Sequence, residues 1–143
     1  MAKVWIIDKQ RSFRNGMKIL LEKENPKWKV DAFGLMPNLK ANDLPQLVII
    51  DPLLQDNFNY QVNELKNKRI PFAILAMEQN KSELLRLLKY RANGYLMKDM
   101  NTTLLIEAIE RLISKKLFVH PSFGGVLLEY STYGSEKDIK INP

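Results

Sequence analysis

Leu47-Val48-Ile49-Ile50 is apolar at every position and runs straight into Asp51. A strand with one wet face alternates apolar and polar residues, so a run that is apolar on both pleat faces has to be covered on both sides. That requirement points to a parallel sheet sandwiched between helices. Short β-rich runs recur at residues 4–7, 28–33, 72–77 and 95–97, and helical patterns stand between most of them. Phe13, Met17, Leu20 and Leu21 share one face of the first helix, and Leu84, Leu85, Leu87 and Leu88 crowd a later one. The clearest helix covers residues 101–115, with Asn101 as its cap and an apolar stripe at 104, 105, 108, 109, 112 and 113. Five strands alternating with helices predict an α/β, flavodoxin-like, doubly wound five-stranded parallel sheet with helices on both faces. Between residues 34 and 45, Pro37 and Pro45 leave room for only a short second helix, opening at Pro37.

The chain has 143 residues, 45% of them hydrophobic, which suits one domain with a continuous core. It contains no cysteine, which excludes a disulfide framework, a thiolate metal cluster and a cysteine nucleophile, and fits a reducing cytoplasm. No apolar run approaches the roughly 18–20 residues that span a bilayer, so a cytoplasmic protein without a membrane partner is expected. The formal charge of +6 is spread along the chain among 16 acidic residues. Its densest group, Lys66, Lys68 and Arg69, falls at an expected helix end, where cations face the negative end of the dipole. The charge is read as a solvated surface and not as a nucleic-acid footprint. His120 is the single histidine, which leaves no partner for a multi-histidine metal site or a histidine triad pair elsewhere. The first strand-to-helix turn, Asp8-Lys9-Gln10-Arg11-Ser12, lacks the glycines that bring amides onto a phosphate, which disfavours nucleotide or flavin binding. Trp5 and Trp28 read as core or sheet-edge residues. The leucine-rich helix at 82–90 carries more apolar residues than one face buries, which leaves some for a partner.

In a parallel sheet, Asp8, Asp51, Ala76 and Lys98 converge at the carboxyl ends of the first, third, fourth and fifth strands. Facing carboxylates beside an ammonium suit phosphoryl acceptance or metal binding, because transfer to a carboxylate needs a cation against the developing charge.

The order of these pieces, with Ile-Ile-Asp8, then Leu-Val-Ile-Ile-Asp51, then Phe72-Ala-Ile-Leu-Ala-Met77, then Arg91-Ala-Asn-Gly-Tyr-Leu-Met-Lys98-Asp-Met100, resembles the receiver domain of two-component response regulators. The Ala-Asn-Gly-Tyr-Leu-Met-Lys-Asp stretch and the later Leu117-Phe-Val-His-Pro-Ser122 are similar to the LuxR/NarL-type class, and the resemblance covers roughly residues 3–130. It implies a CheY-like receiver domain over 1–118. Residues 119–143 would hold a linker helix and a flexible linker, leading to a C-terminal helix-turn-helix domain. On that resemblance Asp51 holds the phospho-acceptor position, Lys98 the phosphate-contacting lysine and Tyr95 the aromatic that turns in switching. Asp8 holds the first position of the acidic pair. Two positions depart from the pattern: Lys9 stands where the family has a second, metal-ligating acid, and Ala76 where it has a hydroxyl residue.

These departures empty the pocket of net charge, since Asp8 and Asp51 face Lys9 and Lys98. A dication about 4 Å from the Lys9 ammonium would be repelled by roughly 8 kcal/mol at an effective dielectric near 20, as an upper bound. The expectation is an atypical receiver, or pseudo-receiver, with no metal and no cofactor, Mg2+ entering only if the pocket still works. Lys9 would pair with Asp51 in the cation's place. The function expected is that of a phosphorylation-independent regulatory module of a transcription regulator, with no catalytic residue of its own. It would act as a homodimer or through partner or ligand contacts, with DNA reached only through the further domain. The alternatives are a conventional receiver, phosphorylated at Asp51 from a histidine kinase, and a stand-alone interaction adaptor.

Overall fold

The computed structural model describes residues 2–40, 42–77 and 80–129. Its strands are β1 (Ala2–Ile7), β2 (Trp28–Phe33), β3 (Leu47–Ile50), β4 (Phe72–Ala76), β5 (Gly94–Met97) and β6 (Phe118–Val119). All neighbours run parallel, in the order β2-β1-β3-β4-β5-β6. The helices are α1 (Arg11–Glu24), α2 (Phe58–Asn67), α3 (Lys81–Leu88), α4 (Thr102–Ile113) and α5 (Gly124–Glu129), the last preceded by a 3-10 turn at Pro121–Phe123.

Alternation along each strand divides the core. Val4, Ile6, Leu47, Ile49, Ala73, Leu75 and Leu96 pack under α1 and α4, against Met17, Leu21, Leu105, Ala108, Ile109 and Leu112. The intervening residues, among them Trp5, Ile7, Val48, Ile50, Ile74 and Tyr95, pack under α2 and α3. Leu47–Ile50 is buried throughout, as a strand covered on both faces must be. Each large apolar side chain so buried contributes about 1.5–3 kcal/mol. Gly94 is required by the packing: a Cβ there would lie 2.9 Å from both Leu112 methyls and 3.0 Å from Ala73 Cβ.

At the β2 edge, α1 satisfies backbone groups that no further strand reaches. Val30 N donates to Glu22 Oε2 at 2.9 Å, and Lys18 Nζ donates to Val30 O at 2.6 Å. Two helices end in the double hydrogen bond that follows a left-handed residue. Arg69 (φ 57°) donates to Lys66 O while Ile70 donates to Leu65 O, and Lys115 (φ 64°) donates to Leu112 O while Lys116 donates to Arg111 O.

Two expectations about the fold need correction. Among the described residues the sheet has six strands and not five: Phe118 pairs with Gly94 and Val119 with Tyr95, so the chain adds a short edge strand after α4. The helix expected to open at Pro37 is absent. Among the described residues of 34–46 only turns and bends occur, and Leu39 is buried against the α2–α3 side of the core without a helix to carry it. With the two prolines removing donors and fixing φ, that segment lacks the run of free amides a helix needs. Residues 118–119 and 121–129 form the strand, turn and helix given above, and 130–143 of the expected linker lie outside the described residues.

Candidate functional site

The parallel ladder dictates which residues meet. Ile7 is in register with Ile50, so Asp8 and Asp51 leave the sheet side by side, while Lys98 follows β5 two register positions further on and its long side chain reaches back to both. The ladder continues past the strands to hold them there: Asp8 N donates to Phe33 O (2.9 Å), Asp51 N to Ile7 O (2.9 Å) and Lys98 N to Ala76 O (2.8 Å).

Each aspartate then bends its own loop. Asp8 Oδ1 accepts from Gln10 N at 2.8 Å, and Asp51 Oδ1 accepts from Leu53 N at 2.8 Å, the two-residue turn that short acidic side chains favour. The second oxygen of each faces Lys98. Its Nζ lies 2.7 Å from Asp8 Oδ2 and 2.6 Å from Asp51 Oδ2, with side-chain exposures of 5% for Lys98, 1% for Asp8 and 10% for Asp51. Lys98 Nζ also donates to Gln10 Oε1 at 3.1 Å and stands 4.7 Å from the centre of the Phe13 ring. Burial lowers the pKa of this ammonium, but hydrogen bonds and charge from Asp51 and Asp8 outweigh that and raise it above the ordinary lysine value.

Asp8, Asp51, Ala76 and Lys98 are therefore brought together as expected, and Lys9 stands on the wall of the same cavity without the ion pair expected of it. Lys9 is exposed, and the cation seated on Asp51 is Lys98, which corrects the expected Lys9–Asp51 pair. The chain has already left β1 and turns at Lys9, where Asp8 Oδ1 takes the Gln10 amide, and the Lys9 side chain is left exposed. Arg14 fixes that course, Nη1 donating to the carbonyls of Asp8 (3.0 Å) and Lys9 (3.2 Å). Ala76 is buried in the core under α3. Tyr95 is buried too, its hydroxyl donating to Leu87 O and Leu88 O at 3.1 and 3.2 Å and accepting from Ala92 N at 3.1 Å.

Magnesium would need hard oxygen ligands around an open position. Here the oxygens of the two carboxylates that point into the site are 2.6 and 2.7 Å from an ammonium, and among the described residues no group of three or more acidic, histidine or cysteine side chains converges. The residues present do not fit that ion. A cavity of about 580 Å3 opens over the cluster, and Leu53, Leu54 and Met77 stand exposed on its rim.

Gln10, Phe13 and Arg14 belong to this site although nothing in the sequence marked them as site residues. Phe13 had a signal only as part of the apolar face of α1, and Gln10 had none.

No family model matches the chain. It is 30% identical over 124 residues to the transcriptional regulatory protein DegU of Brevibacillus brevis, a match covering 81% of this chain and 52% of DegU. The chain thus spans about half the length of that curated relative. Among solved structures it is similar to a two-component response regulator of the LuxR family from Aurantimonas sp. SI85-9A1, with 20% identity and a TM-score of 0.74 over 92% of this chain and 99% of that one. It is also similar to RcsB in a structure of two RcsB dimers bound to two parallel DNAs, with 22% identity and a TM-score of 0.74 over 92% of this chain and 69% of that one. This chain has the receiver-domain fold of LuxR-family response regulators, and its sequence is similar to one curated transcriptional regulator, DegU. After α4, the segment Leu117-Phe-Val-His-Pro-Ser122 holds β6 and starts the 3-10 turn. No helix among the described residues of this receiver domain is long and apolar enough to cross a membrane.

Proposed function

We propose that this receiver domain regulates transcription without magnesium-dependent phosphorylation of Asp51. The single observation that carries the reading is that, among the described residues, no group of three or more acidic, histidine or cysteine side chains converges, so Asp8 and Asp51 face the site without a third anionic ligand. Lys9 in place of an acid and Ala76 in place of a hydroxyl support it, because the first removes an anionic ligand and the second removes the group that would bind a phosphoryl oxygen. The domain would serve in a longer regulator that reaches DNA through a separate domain, as a dimer, by analogy with the DNA-bound dimers of RcsB. It would respond to protein or ligand contacts.

A conventional receiver is the rival reading, and Asp51 beside Lys98 favours it, since that pair could accept and hold a phosphoryl group. Beryllofluoride with millimolar magnesium, followed by amide chemical shifts at Asp51, Ala76, Tyr95 and Lys98, separates the two. The expected result is no saturable shift in the native sequence and a recovered response in a Lys9→Asp, Ala76→Thr double variant. Saturable shifts in the native protein would restore the phospho-switch.

A further inference from the structure

We propose that residues 118–129 form a latch that holds Tyr95 inward, and that release of this latch is the regulated motion of the domain. The inference extends the reading above, since Ala76 offers no hydroxyl through which the Asp51 pocket could pull on Tyr95.

Three contacts build the latch. β6 pairs with β5 at Tyr95 itself: Val119 is in register with Tyr95, and His120 N donates to Tyr95 O at 2.8 Å. Phe123, fully buried, lies with its ring centre 5.2 Å from that of Tyr95. Beyond it, α5 packs against α3, burying Val126 and pairing Glu129 Oε2 with Lys81 Nζ at 2.5 Å. Tyr95 is therefore enclosed by the carbonyls of Leu87 and Leu88 on one side and by Phe123 on the other. To leave, its ring needs Phe123 to withdraw.

The latch is built to open at little cost. Gly124 and Gly125 begin α5, yet neither has a left-handed φ, and a Cβ on either would meet nothing within 4 Å. The docked state does not need glycine there, and glycine weakens a helix relative to alanine. The Lys81–Glu129 pair is largely exposed, the kind that adds little and is screened by salt. One aromatic anchor thus carries most of the docking. His120 Nδ1 accepts from Ser122 N at 3.0 Å and aligns the turn that presents Phe123.

The Ala92 amide reports the state of Tyr95, because it donates to the tyrosine hydroxyl. Hydrogen exchange at Ala92 is measured in the full chain, with the Leu21 amide in α1 on the opposite face as the control for global folding. Phe123→Ala is expected to speed Ala92 exchange by about tenfold or more with Leu21 unchanged, and Gly124→Ala with Gly125→Ala to slow it. Unchanged Ala92 exchange in Phe123→Ala would overturn the latch. If Phe123→Ala speeds Leu21 equally, the fold has failed and Val126→Asp decides, since it puts a charge into the buried side of α5 while leaving the sheet and α1 untouched. Faster Ala92 exchange in Val126→Asp with Leu21 unchanged upholds the latch, and no change overturns it. Beryllofluoride-induced shifts around Asp51 would defeat the reading of the pocket while leaving these outcomes as they stand.

Discussion

The two faces of the sheet use the same strands but are covered differently. Over one lie α1 and α4, of 14 and 12 residues, each presenting a regular buried stripe. Over the other lie α2 and α3, of 10 and 8 residues, an irregular stretch carrying Leu39, and the short α5 anchored by Phe123. The first face has few ways to move, because Gly94 brings β5 into contact with Leu112 and any rearrangement there would collide. The second is assembled from short pieces, each with its own anchor, and it is the face that holds Tyr95. The proposed latch thus lies on the side built from short pieces, opposite the side of long regular helices.

The largest test uses a residue that serves both sides. Lys98→Met leaves Asp8 and Asp51 buried without their cation and is expected to cost about 3–5 kcal/mol at neutral pH by urea denaturation, with both faces losing protection together. The pH dependence has a defined sign. Because the folded protein raises the Lys98 pKa, the stability it contributes is complete below the ordinary lysine value and is lost as pH rises through the higher folded value. That alkaline loss should vanish in Lys98→Met, and its persistence would place the sensitive group elsewhere.

Next in size, Leu112→Ala under α4 is expected to cost about 2–5 kcal/mol in global stability. Phe123→Ala removes a larger side chain, yet should cost less than Leu112→Ala, because the latch can undock while the rest of the core closes. The reverse order in paired denaturation curves would break the comparison between the faces.

The smallest effect sharpens it. Asn101 caps α4, accepting from Leu104 N, and Asn80 caps α3, accepting from Glu83 N. Alanine at either removes about 1 kcal/mol of helix stability. In Asn101→Ala that loss is expected in the global unfolding midpoint. In Asn80→Ala it is expected mainly as faster exchange within α3.

The α1–α4 face was also the more legible in the sequence. The stripe from 104 to 113, the Asn101 cap and the two-sided run at Leu47–Ile50 each gave a period or a cap that physics reads locally, and the order of the four central site residues followed from parallel strands. What the sequence hid depended on contacts distant in the chain. β6 is two residues long and acquires its identity by pairing with β5, so no period announces it. The stretch after β2 had prolines suggesting a helix start, but Leu39 is buried there from an irregular backbone. Lys9 had the right charge and the right neighbour for Asp51, yet it stands exposed at a bend on the cavity wall, and the cation on Asp51 is Lys98. Phe123 lay in a linker by composition, and only the fold carries it back to Tyr95.

The endings of α2 and α4 bear on how the domain responds to its solvent. Arg69 and Lys115 occupy left-handed positions where glycine would be without strain, and each is a cation at the negative end of its helix. Backbone strain is thus set against charge, and only one side of that balance is sensitive to dissolved ions. As ionic strength rises the dipole attraction is screened while the strain stays. Salt therefore loosens these two corners from the outside, so that the boundaries of α2 and α4 register a change of medium.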